Sequence, residues 1–128
     1  MKIFSVWNVS RNDSVAERVR LADTWWTRLR GMLGHPEPAP GEGMLLAPCQ
    51  SVHMYWMKYA LDVVFLDPDG CIVEIYHGLA PSKRSRWHRD ADRALELRAG
   101  TLASANTQIG DRLVLRRVGN GTERHNHA

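Results

Sequence analysis

The chain predicts a mainly β domain: a compact antiparallel sandwich or barrel-like sheet with one short helix in its N-terminal third, an α+β arrangement being the alternative. Three observations lead there. Short apolar runs, alternating or continuous, recur along the chain and are separated by clusters of Gly, Pro, Asn and Asp. Only one stretch, "ADTWWTRLRGMLG", carries helical spacing with stop and start signals at its ends. No internal repeat or composition break divides the 128 residues, a length that buries one ordinary core without staples. The expected organisation is a single domain over 1–118 and a flexible polar tail, "GNGTERHNHA", over 119–128.

Each element follows from local chemistry. "IFSVWNV" (3–9) reads as a first strand, "SRNDS" as a turn, and "VAERVRL" (15–21) as a half-buried returning strand. Asp23 or Thr24 can cap the helix, whose apolar positions Trp25, Leu29 and Met32 stand at i, i+4 and i+7, and Gly31 or Gly34 can end it. Adjacent Trp25 and Trp26 point about 100° apart, so at least one is expected to be partly exposed or under a loop. "HPEPAPGEG" is too rich in proline for regular structure and makes a long loop over 35–43. "MLLAP" (44–48) is a short strand. "LDVVFLD" (61–67) and "CIVEIYH" (71–77) flank a "PDG" turn as a hairpin. "RALELRA" (93–99) alternates like a half-buried strand, "GTLASANTQIGD" can hold a helical turn, and "RLVLRRV" closes the domain.

Composition narrows the function classes. Apolar residues at 44% and charged residues at 24% exclude a disordered chain. The formal charge of +3 is concentrated in "KRSRWHRDADR" (83–93) and at Arg116 and Arg117. Scattered arginines usually form a solvated face, so charge alone makes a weak case for nucleic acid. Cys49 and Cys71 have no framework spacing and read as free thiols in a reducing compartment. The N-terminus lacks the apolar core of a signal peptide, and no apolar stretch approaches the ~18 residues of a membrane span. The expectation is a cytoplasmic protein with no membrane partner and no cofactor, its oligomeric state left open.

In this order, "ADTWWTRLRGMLG", "GEGMLLAPCQSVHMYWMKYALDVVFLDPDGCIVEI" and "ALELRAGTLASANTQIGDRL" resemble the uncharacterised prokaryotic family called domain of unknown function 192 (DUF192), over about Ala22 to Leu115. The resemblance implies a compact, mainly β core and supplies no established reaction or catalytic residue. Members of that family often have phenylalanine where Trp56 stands, and exported members carry a leader not seen here.

Chemistry concentrates in "CQSVHMYWM" (49–57). Read as extended chain, Cys49, Ser51, His53, Tyr55 and Met57 share one side and Gln50, Val52, Met54 and Trp56 the other. Four residues of strand hold Cys49 and His53 roughly 13 Å apart, too far for a thiol–imidazole dyad. Ser51 and His53, roughly 7 Å apart, can line one wall together. The same spreading separates Cys49, His53, Cys71 and His77 too widely for one zinc ion, so no metal is expected. Asp62, inside "LDVVFL", must be paired, hydrogen-bonded or protonated. It either orients His53 or ties down nearby backbone N–H groups.

The functional expectation is a binding or accessory module for a small polar or anionic, saccharide-like ligand. Its lining is expected from Ser51, His53, Met57, Lys58 and Asp62, with Arg84 and Arg86 reaching in from the basic loop (80–92) and the 35–43 loop as a second wall. The alternative is a hydrolase or lyase with His53 as acid–base and Asp62 orienting it.

Overall fold

The computed structural model describes residues 2–118; the tail expected at 119–128 lies outside them. The chain forms β1 (Ile3–Asn8), β2 (Asp13–Ala22), α1 (Trp25–Arg30), β3 (Glu42–Leu46), β4 (Leu61–Leu66), β5 (Ile72–Leu79), β6 (Arg93–Arg98), α2 (Thr101–Ser104) and β7 (Leu113–Val118). The protein is mainly β, as the apolar runs predict.

All seven strands join one sheet in the order β5-β4-β6-β3-β2-β1-β7. Every pairing is antiparallel except β2 with β3, which run parallel from Arg18 opposite Glu42 to Ala22 opposite Leu46. A parallel pair needs a crossover, and α1 with the proline-rich loop supplies it. The sheet is not closed. Its edge strands meet at one corner, where Cys71 bridges Arg112 and the Ile72 N–H donates to the Asp111 carbonyl.

The curl of the sheet divides the core in two. On the inner face Val6, Val19, Leu45, Val64, Leu95 and Leu113 pack with residues from every other strand and with Leu102 of α2. On the outer face Met44, Leu46, Leu61, Val63, Phe65 and Ala94 are covered by Met32, Val52, Met54 and Ala91, all from irregular segments. β4 is therefore buried on both faces along its whole length, which is why its sequence is continuously apolar. At Gly43 β3 runs too close to β6 for a side chain: a Cβ would meet the Glu96 carbonyl oxygen and the Leu97 side chain.

Asp62 sits among these apolar strands at full burial, and its chemistry is satisfied locally. One oxygen accepts from the Gly78 N–H at 2.8 Å. The other accepts from Gly100 at 3.1 Å and Leu102 at 3.0 Å. Gly100, the cap residue of α2, has no side chain to offer, so Asp62 caps that helix from a distant strand. The partners are these backbone groups rather than His53.

α1 is shorter than its apolar spacing suggests. Thr24 and Thr27 cap each other's backbone N–H, both at 3.1 Å. Gly31, at φ +52, ends the helix after Arg30, so Met32 is buried beyond it and not on its third turn. None of the helix residues is buried, and both Trp25 and Trp26 are exposed. Of the three apolar positions spaced along it, Trp25 and Leu29 are therefore exposed and only Met32 is buried.

Candidate functional site

Segment 47–60 leaves β3, crosses the outer face and zips against the basic loop. The Ser85 N–H donates to the Val52 carbonyl at 2.9 Å, Met54 N–H to Lys83 at 2.7 Å, and His88 N–H to Gln50 at 2.8 Å. The Ser85 hydroxyl also accepts from the Val52 N–H at 2.9 Å. The strand-like reading of 49–57 holds as far as Tyr55: Val52 and Met54 are buried, while His53 and Tyr55 emerge opposite. It fails at Trp56, where φ of +63 turns the chain and leaves the indole 77% exposed instead of buried with Met54.

Between this segment, α1 and the basic loop lies a groove of about 610 Å3. Its size falls within the range of small-molecule sites. Met32, Leu46, Val52, Met54 and Ala91 give it apolar walls. Trp25 of α1 and Trp87 of the basic loop line it with indoles 70% and 68% exposed. Arg28, Gln50, Ser51 and His53 add polar groups.

Of the residues expected at a site, Ser51, His53 and Met57 line this groove. Lys58 lines a neighbouring one with Trp56 and residues 32–37, where the proline-rich loop also contributes. Asp62, Arg84 and Arg86 line neither. The His53 ring stacks on Tyr55, centroids 4.8 Å apart. Arg84 faces His53 through a backbone bridge, and the Arg86 N–H donates to the Tyr76 hydroxyl at 3.0 Å. Among the described residues no three His, Cys, Asp or Glu side chains gather as a metal site.

Cys49 is held as a thiol. Burial pushes it up to about 11, only partly opposed by the backbone of Ser51, and the thiol donates to the Ser51 carbonyl at 3.1 Å. The Glu96 carboxylate pushes the same way and Arg28 opposes it. A thiol so little ionised is a poor nucleophile.

Glu96 also lines the groove, and the alternation of "RALELRA" does not reveal it. On a half-buried strand Glu96 would face water. β6 instead lies between β3 and β4, with Met44 and Val63 as its cross-strand neighbours, and only 4% of Glu96 is exposed. Burial raises its carboxyl to about 7. The signal was present in the flanking strands: "MLL" and "LDVVFL" are apolar on both faces, and a strand between them must bury its glutamate.

A small mainly β protein with an open curled sheet and a groove on its outer face is the class these features define. The family model DUF192, described as "Uncharacterized ACR", matches residues 7–115, and the chain belongs to that family. It is 31% identical over 109 residues to a UPF0127 protein of Thermococcus sibiricus (strain DSM 12597 / MM 739), covering 75% of this chain and 64% of that relative. The chain thus spans less than two thirds of the relative's length. A crystal structure described as a candidate transcription regulator from Sinorhizobium meliloti 1021 is similar at a TM-score of 0.75 and 26% identity, over 89% of this chain and 92% of that one. A protein of unknown function from Novosphingobium aromaticivorans DSM 12444 shares the fold at a TM-score of 0.72 and 20% identity, over 88% and 83% of the two chains. No helix among the described residues is long and apolar enough to cross a membrane.

Proposed function

We propose that the protein is a binding module whose outer groove takes a small polar or anionic, saccharide-like ligand. The carrying observation is that two indoles from separate elements, Trp25 and Trp87, stand exposed on one groove whose walls also present Arg28, Gln50, Ser51 and His53. Indole faces suit the flat apolar face of a sugar ring, and convergent polar side chains fix its hydroxyls. An acid–base reading through His53 and Asp62 has less support, since the Asp62 carboxylate is occupied by three backbone N–H groups.

The test is a thermal-shift screen of neutral and acidic saccharides against the wild type and the Trp25→Ala, Trp87→Ala, Ser51→Ala and His53→Ala variants. A ligand that raises Tm without being turned over, with the shift reduced in both tryptophan variants, is the expected result. Product formation lost in His53→Ala would instead make the protein an enzyme.

The description of the Sinorhizobium relative motivates a second reading, nucleic-acid binding, for which the exposed Lys83, Arg84, Arg86 and Arg89 around Trp87 are the natural surface. That reading requires affinity for DNA or RNA that falls steeply with salt.

A further inference from the structure

Two residues lining the groove each hold a buried polar atom with no partner among the described residues, Nε of Arg28 and Oε1 of Glu96. They belong to different elements, α1 and β6, and both residues line the same space. Arg28 is held in place by its other end, which donates to the Pro48 carbonyl at 3.2 Å. Unsatisfied buried polar atoms are costly, and two on one cavity suggest a ligand group that completes them.

The chemistry of that group follows from what the two atoms offer. A guanidinium Nε–H donates only, and guanidinium planes match carboxylates. Glu96 has Met44 and Val63 beside it on the strands and carries its proton up to about neutral pH, so its carboxyl also donates. Two donors need an acceptor-rich, negatively charged partner.

We propose that the groove floor is a carboxylate-binding subsite, in which the Arg28 guanidinium and the Glu96 carboxyl together take the carboxylate of an acidic sugar. The proposal rests on the saccharide reading of the groove and adds a charge preference to it. Binding then draws a proton from solvent onto any Glu96 that has lost its own, because two carboxylates cannot share the site ionised. The other titratable or charged groups lining the space are Arg30, Cys49, His53, Tyr55 and Asp92, with Tyr59 close enough to sense the Glu96 charge. Cys49 remains a thiol, and Asp92 already accepts from Arg93 at 3.2 Å. A variant at His53 is therefore the control for the one at Glu96.

The experiment is calorimetric titration of the full chain with glucuronate, and with glucose as the neutral control, between about pH 6 and about pH 8.5, in two buffers of different ionisation enthalpy. Glucuronate is expected to bind more tightly than glucose at the acid end. Its affinity should then fall by up to about tenfold per pH unit above the Glu96 titration, with proton uptake on binding. Glu96→Gln, close in shape and never ionised, should bind glucuronate without the pH dependence, while His53→Gln, which trims the groove wall, should weaken binding at every pH and keep the pH dependence. Equal affinity for the two sugars, or a pH dependence that disappears in His53→Gln and persists in Glu96→Gln, overturns the subsite and leaves the saccharide groove standing. Absence of binding by either sugar overturns both readings.

Discussion

Glu96 and Asp62 are buried carboxyls a few ångströms of sheet apart in pairing, Asp62 opposite Leu97 and Glu96 opposite Val63, yet their environments give them opposite roles. Asp62 points into the inner core and meets three backbone N–H groups. Glu96 points to the outer face and meets none through Oε1. Asp62→Ala leaves those three donors without an acceptor, and we expect a loss of about 3 kcal/mol or more, read from the urea midpoint. For Glu96 the sign is the reverse of the usual salt-bridged carboxylate. Its folded value of about 7 lies above its ordinary 4.5, so below that ordinary value both states are protonated and nothing is lost. As pH rises the unfolded chain gives up the proton first, stability falls until the folded group ionises too, and the deficit then stays at about 3 kcal/mol. Glu96→Gln should accordingly match the wild type near pH 4 and be more stable at about pH 8. Urea unfolding at the two pH values checks this; equal stabilities at the higher pH would show that Glu96 ionises freely.

At the scale of elements, the strands were largely legible and their surroundings were not. Alternation and turn residues place β1, β2, β4, β5, β6 and β7 to within a residue or two, because those patterns depend on the chain itself. β3 begins at Glu42, two residues ahead of the apolar run, because it pairs with β2 and not because of its own side chains. Which face of β6 meets water depends on its neighbours in the sheet, and the order β4-β6-β3 is a long-range fact. α1 shows the same limit: its caps are local and were foreseen, whereas the exposure of Trp25 and Leu29 depends on where the crossover sets the helix down. Since this helix has no buried residue to anchor it, its caps matter more than usual. Thr24→Ala removes the reciprocal cap and should cost about 1 kcal/mol, and the freed helix should also weaken binding at the groove. Denaturant midpoints and ligand affinity measured on the same variant test both parts.

Across the whole molecule, the curled sheet supplies an inner core and leaves the outer face to be covered by Met32 just beyond α1, segment 47–60 and the basic loop. Those covers meet imperfectly, and the groove is the gap between them. The imidazole wall, Ser51 with His53, was legible because local spacing fixes it; the two rim indoles and the floor carboxyl come from residues far apart in sequence and appear only once the fold assembles them. Whether the groove takes a ligand is read from the five tryptophan indole N–H signals, followed by NMR while a saccharide panel is titrated in. A sugar bound in the groove moves the Trp25 and Trp87 signals together and saturably while that of Trp7, on β1, stays fixed. Saturable binding that leaves both groove indoles unmoved would contradict it.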